Sequence, residues 1–360
     1  MPECDYHSND IDSTERSLIF SAATSLMSMV APKHLLSRRW TAQDFYSPMN
    51  KGLVKILALF IFALLFYRKI SVPTRTYDPY SRPFCDASGN CGENPEISSP
   101  RTVFSARSEE QYVLWWKVHA ALNRTAAEYA TRRQQAAQKS LPPLILLGDS
   151  ITESWIGTDM GIPIERAKGV STVLADFFQH DYDPLVLAVG GDQTQHLLYR
   201  LQNGQLLPSY ANDDLATYVV LIGTNNLGSG ELPTPTSIGV MTVAEYILKS
   251  TKGRLVLVQL LPRGDSQRLP RLCPPRCDSD GNPFESYMPA VKKVNDAIQN
   301  EAPKLSKQYG NRLSVVNCGS DFLSSALVVD DALMPDRLHP NADGHRILAK
   351  CILDCMKGSC

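Results

Sequence analysis

The stretch Leu144-Ile145-Leu146-Leu147-Gly148-Asp149-Ser150-Ile151-Thr152-Glu153-Ser154 decides how the rest of the chain is read. Four branched apolar residues in a row, after Pro142-Pro143, predict a short strand buried on both faces. Gly148 then lets the backbone turn, which delivers Ser150 to the carboxyl end of that strand. In open α/β sheets that is the end at which ligands bind. Alone, Gly-Asp-Ser is also what an ordinary turn looks like, so the reading depends on the other strands.

Four further apolar runs follow, Leu185 to Val189, Tyr218 to Ile222, Leu255 to Leu261 and Leu313 to Val316. Segments of helical pattern separate most of them, at Val170 to Gln179, Thr194 to Gln202, Ser237 to Thr251 and Met288 to Tyr309. This alternation predicts a parallel sheet covered by helices on both faces. Upstream, Ser108-Glu-Glu-Gln111 fits a capping box and opens a helix whose Tyr112, Trp115, His119, Leu122, Ala126 and Tyr129 form one apolar face. Trp115 and His119 are read as core residues of that face. A last helix, about Asn341 to Met356, closes the domain.

The strand ends carry the chemistry. After the second run stands Gly190-Gly191-Asp192-Gln193-Thr194-Gln195-His196, and after the third Gly223-Thr224-Asn225-Asn226. Near the carboxyl terminus stands Asp336-Arg337-Leu338-His339-Pro340, an acid and an imidazole one turn apart. Acyl transfer needs this set of parts. A hydroxyl nucleophile needs an imidazole to take its proton, and the imidazole needs a carboxylate to fix its tautomer. Ser150, His339 and Asp336 fit those roles. The tetrahedral oxyanion needs preorganised donors, each worth ~3 kcal/mol. The N–H groups of Ser150 and Gly191 and the amide of Asn225 fit that role. Asp149 is expected to hold the turn. His345, His196 and His180 are rival imidazoles, but none has an acid three residues before it. The nucleophile elbow Gly-x-Ser-x-Gly fails at Thr152, and no Gly-x-Gly-x-x-Gly follows the first strand, which excludes the α/β-hydrolase and dinucleotide-binding readings.

These four blocks resemble those of the SGNH (GDSL-type) hydrolases. Within that family, Gly190 to Leu201, Ile222 to Asn226 and Leu260 to Gly264 are similar to the catalytic subunits of platelet-activating-factor acetylhydrolase. The resemblance spans about Phe104 to Met356. It implies a three-layer α/β, flavodoxin-like fold with a five-stranded parallel sheet, Ser150 as nucleophile, His339 as base, Asp336 as its orienter, and Gly191 and Asn225 in the oxyanion hole. It implies no metal and no cofactor. The segment Arg263 to Pro283, with Cys273 and Cys277, departs from the pattern as an insertion placed to roof the site.

The remainder of the 360 residues concerns location. Basic and acidic residues balance at 36 and 37, which gives no support to a nucleic-acid partner. Leu53 to Tyr67 carries one charge, Lys55, and ends on Arg68-Lys69, so residues 51–69 read as a single transmembrane signal anchor near the ~20-residue span a bilayer needs. Residues 1–50 read as a mostly disordered cytosolic tail, 70–103 as a Pro/Ser-rich stalk and 104–360 as the hydrolase domain. Eight of nine cysteines follow the span, and Asn123-Arg-Thr125 is a glycosylation sequon. Both favour a type II membrane protein with its catalytic domain in the secretory lumen or outside the cell. The expected function is a serine esterase removing short acyl groups, acetyl above all, from a lipid or an O-acetylated glycan. The alternatives are an acyltransferase using a sugar hydroxyl and a catalytically silent binding protein; self-association is left open.

Overall fold

The computed structural model describes residues 93–106, 108–135, 141–273, 277–358 and 360. All of them belong to the compact unit Tyr77–Cys360. The expected tail, the expected anchor at 51–69 and the expected stalk up to residue 92 lie outside the described residues. Among those described, no helix is long and apolar enough to cross a membrane.

Five parallel strands form one sheet: β1 (Pro143–Gly148), β4 (Asp183–Ala188), β5 (Thr217–Leu221), β6 (Arg254–Val258) and β7 (Leu313–Val316), in the order β4-β1-β5-β6-β7. Between β1 and β4 a small antiparallel hairpin, β2 (Thr158–Asp159) and β3 (Ile162–Pro163), stands apart from that sheet. The helices are α1 (Glu109–Gln135), α2 (Ser150–Glu153), α3 (Val170–Phe178), α4 (Thr194–Arg200), α5 (Thr224–Gly228), α6 (Pro233–Ser250), α7 (Met288–Gln308) and α8 (Ala342–Met356). Side chains of the strands alternate between two cores. Ile145, Leu147, Leu187, Val220 and Leu257 pack under α1, α6 and α7, while Leu144, Leu146, Val186, Val219 and Val256 pack under α3 and α8. That is the three-layer arrangement. It explains the unbroken apolar run of β1, since a strand covered on both faces has no polar side. Each such side chain taken from water stabilises the fold by ~1.5–3 kcal/mol.

Gly148 pairs with Ala188 on one side and Leu221 on the other, so β1, β4 and β5 end level with one another. The chain leaves β1 for β4 on one flank and later returns to β5 on the opposite flank. The loops after these strands therefore part at the carboxyl end of β1 and leave a crevice there.

Of the boundaries that differ from the sequence reading, three have a clear physical cause or bear on the site. The fourth strand stops at Val258 instead of Leu261, because the Asn295 side chain on α7 takes over both backbone groups of Leu260, at 2.8 and 2.9 Å. The helix begun at Thr194 is α-helical only to Arg200 and continues as a π turn, Leu201–Gln205. The stalk expected to reach residue 103 ends earlier, because residues from Glu93 onward are bonded to the domain. The Pro95 carbonyl accepts from Thr194 Oγ1 at 2.8 Å, and the Ser99 N–H donates to the Gln195 carbonyl. Disulfides join Cys273 to Cys277, Cys318 to Cys351 and Cys355 to Cys360.

Candidate active site

The first part of the site is the step from β1 into α2. A Cβ on Gly148 would overlap the Leu221 carbonyl and the Thr152 side chain, so only glycine lets the strand turn this close to β5. Asp149 caps α2, its Oδ1 accepting the Ile151 N–H at 3.0 Å. Its Oδ2 is buried with no hydrogen-bond partner among the described residues, and burial pushes the carboxyl up to about 7. Asp149 thus holds the turn, as expected. From the first turn of α2, Ser150 Oγ lies 2.9 Å from His339 Nε2.

His339 belongs to the loop that precedes α8. Its Nδ1 lies 2.6 Å from Asp336 Oδ2, while Asp336 Oδ1 accepts the backbone N–H groups of Leu338 and His339 at 3.0 and 2.7 Å. Partial burial works to raise the Asp336 carboxyl. The His339 hydrogen bond and charge, with the two N–H donors, outweigh it and hold the group well below the usual carboxylate range. The loop is shaped by Arg337, in a left-handed conformation (φ 60°), whose guanidinium grips Asp331 through two 2.9 Å bonds. The Arg337 carbonyl accepts the Gly264 N–H at 2.8 Å.

The expected oxyanion donors gather on the other side of Ser150. Gly191 has φ +76°, a conformation that favours glycine, and lines the same cleft of about 210 Å3 as Ser150, Asn225 and His339. Asn225 Nδ2 donates to the Asp192 carbonyl at 3.0 Å, which ties α5 to the glycine loop.

Several residues that hold this half were not singled out from the sequence. The Asp192 carboxylate, fully buried, accepts from Trp115 Nε1 at 2.8 Å, Arg101 Nη2 at 2.9 Å and Arg200 Nε at 2.7 Å. Arg200, also fully buried, donates to the Gly148 carbonyl at 3.1 Å and the Leu187 carbonyl at 3.2 Å, and to the Gln205 side chain. One guanidinium thereby joins the ends of β1 and β4. Glu153, at the end of α2, accepts from the N–H groups of Gly190 (2.6 Å), Met160 (2.9 Å) and Gly161 (2.7 Å) and from the Thr158 hydroxyl (2.7 Å). Burial raises its carboxyl, opposed by those bonds. Glu153 therefore ties the β2–β3 hairpin to the glycine loop.

The rival imidazoles have other places. His196 is buried, with Nδ1 accepting the Gln193 N–H at 3.0 Å and Nε2 bonded to Glu93. Burial works against the Glu93 charge, but the His196 bond and charge, helped by Thr102 and Gln195, bring its carboxyl down to about 2. His345 sits on α8 behind Ser150, with Nε2 3.2 Å from the Ile151 carbonyl and its ring edge-on to Trp155 at 4.6 Å; burial pushes it down to about 4. His180 is exposed and away from the cleft residues. His119 stacks on Trp115, consistent with a core role for both.

The insertion contributes Arg268 to the cleft wall. Arg263 is buried instead. It forks onto Asp265 at 2.6 and 2.9 Å, donates to the Thr224 carbonyl at 2.6 Å and lies 4.4 Å over the Tyr287 ring. It fixes the start of α5, one residue from Asn225. Asn123, the expected glycosylation site, is half-buried on α1, and the nitrogen that a glycan would occupy donates to the Asn203 carbonyl at 2.9 Å. Among the described residues, no group of three or more His, Cys, Asp or Glu side chains is placed to hold a metal.

A hydroxyl, an imidazole and a carboxylate in hydrogen-bonded series, facing a loop of backbone and amide donors, can form and resolve an acyl-enzyme. Comparison with known proteins points the same way. A family model described as GDSL-like lipase/acylhydrolase matches residues 146–347. The human platelet-activating factor acetylhydrolase IB subunit alpha2 is 25% identical over 167 residues, covering 46% of this chain and 61% of that subunit. The human alpha1 subunit is 35% identical over 81 residues, covering 22% of this chain and 32% of that subunit. The matched region thus spans about three-fifths of the alpha2 subunit and about a third of alpha1. Among solved structures, a GDSL-like lipase from Bacteroides thetaiotaomicron aligns with 65% of this chain and 98% of its own, at 17% identity and a TM-score of 0.44.

Proposed function

The chain belongs to the GDSL-like lipase/acylhydrolase family, and from that premise we propose that it is a serine esterase that removes short acyl groups, acetyl in particular, from an oxygen ester. The observation that carries the reading is the unbroken series Ser150 Oγ to His339 Nε2 (2.9 Å) and His339 Nδ1 to Asp336 (2.6 Å), opening on the cleft that Gly191 and Asn225 line. Ser150 attacks the ester carbonyl as its proton passes to His339 Nε2. The oxyanion receives the N–H groups of Ser150 and Gly191 and the Asn225 amide. The proton on Nε2 then goes to the departing alkoxide, leaving an acyl-Ser150. Water, deprotonated by His339, attacks that acyl group and restores the hydroxyl.

The acetyl preference rests on the likeness to the platelet-activating factor acetylhydrolase subunits. The alcohol half is a lipid or an O-acetylated glycan. The three disulfides support placement in an oxidising compartment, with residues 51–69 as the anchor and the domain in the lumen or outside the cell.

The test is a full-length protein and its Ser150→Ala variant assayed on p-nitrophenyl acetate and on acetylated lipids and glycans. The variant should lose at least ~10³-fold of the rate. An equal rate in the two overturns the reading.

A further inference from the structure

Arg101 stands 45 residues before the matched family region begins, yet it lies in the cleft with Ser150, Gly191 and His339. Its side chain is only 4% exposed. Nη2 donates to the Gly190 carbonyl and to Asp192 Oδ1, both at 2.9 Å, so one nitrogen bonds the residues on either side of Gly191. A Cβ built on Gly191 would lie 3.1 Å from Nη2 and 3.4 Å from Nη1, so the guanidinium rests directly against the Gly191 backbone. Nη1 reaches Met160 Sδ at 3.4 Å, and Nε is buried with no hydrogen-bond partner among the described residues.

Charge makes this placement informative. The Asp192 carboxylate faces two guanidiniums, Arg101 and Arg200, and all three are buried. Arg101 takes Oδ1 of that carboxylate and Arg200 takes Oδ2, so the acid is held from both oxygens. The Glu153 carboxylate accepts the Gly190 N–H while Arg101 donates to the Gly190 carbonyl, so the loop is held between a guanidinium and a carboxylate. Donors fixed in this way stabilise a tetrahedral oxyanion because nothing has to reorganise as its charge develops.

We infer that Arg101 is a positioning residue of the esterase, which locks Gly190-Gly191-Asp192 in its donor geometry. Because the segment from Glu93 to Arg101 delivers it, the active site is incomplete without residues that precede the matched family region. The inference rests on the esterase reading.

The experiment compares full-length wild type, R101Q, R101K and R101A on p-nitrophenyl acetate, with fluorophosphonate labelling of Ser150 and circular dichroism as readouts of site and fold. R101Q should lower kcat by ~10- to 100-fold, less than the ~10²–10³-fold that loss of an oxyanion donor itself costs, with KM changed by less than about threefold. R101K, which keeps the charge but not the planar fork, should fall between R101Q and wild type. Added methylguanidinium should raise the R101A rate while leaving R101Q unaffected. A folded R101Q with wild-type kcat, or one changed in KM alone, overturns the inference and leaves the esterase reading intact. If R101Q does not fold, R101K decides: wild-type kcat in that variant overturns the inference, and a reduced kcat at normal labelling competence supports it. A wild type that neither hydrolyses the ester nor labels overturns the esterase reading itself, and this inference with it.

Discussion

The two halves of the site are built by opposite means. On the proposed base side, Asp336 keeps 48% of its side chain exposed and His339 14%, and both hang from a loop held by backbone bonds and the surface pair Arg337–Asp331. On the oxyanion side, Asp192 and Arg200 are fully buried and Arg101 nearly so, in a network that reaches three strand ends. The difference follows from the work each half does. A group that trades protons with substrate and water has to stay near solvent. A group that meets developing charge gains from dipoles and ions fixed before the reaction starts, since no reorganisation is then needed. Buried charge is an expensive fixative, but it is also a directional one.

Substitution should separate the halves. Asp336→Asn removes the orienter while leaving an exposed loop, so kcat should drop by roughly 10²–10⁴-fold with a melting temperature close to wild type. Asp192→Asn strips the countercharge from two buried guanidiniums, so stability should fall by ~3–5 kcal/mol along with activity. Urea unfolding of the pair against their rates checks both. Equal stability in the two variants would break the comparison. A third effect concerns the base half alone. The Cys318–Cys351 bridge encloses the loop that carries Asp336 and His339, with a sequence separation of 33. Replacing both cysteines with alanine should cost about 3–4 kcal/mol by the chain-entropy estimate. It should also slow acylation more than it alters the labelling stoichiometry of Ser150. The smallest effect sits between the halves. Burial raises the Asp149 carboxyl in the folded state to about 7, above its ordinary value near 3.8. Its contribution to stability is therefore present in acid and lost as pH rises from about 4 through 7. Glu93, brought down to about 2, acts in reverse, its contribution lost as pH falls from about 4.5 to 2. Asp149→Asn keeps a cap for Ile151 and should flatten the melting temperature between pH 4 and 7; an unchanged slope would assign that titration elsewhere.

The same contrast explains what could be read without coordinates. Ser150, Gly191, Asn225 and the Asp336/His339 pair each sit within a few residues of a strand end or of one another, and short spacing leaves a signature. The five strands were legible for a similar reason, being apolar runs with no polar face. Arg101 and Asp192 are 91 residues apart and Arg200 and Gly148 are 52 apart, and neither contact follows from any local period. Glu153 left no signature because its partners, Met160 and Gly161, form the turn between two strands of two residues each, which no alternation can reveal. The end of the stalk was misplaced on the same account: Pro95 and Ser99 have linker composition, and only their partners Thr194 and Gln195 make them part of the domain.

The docking of residues 93–101 also fixes where the chain can be cut. A cut ahead of Glu93 would leave every contact of this segment with the domain in place. A cut just beyond Arg101 would leave Ser150, His339 and Asp336 untouched and still take away the guanidinium bonded to Gly190 and Asp192. Two scissions a few residues apart would thus have opposite outcomes for the glycine loop.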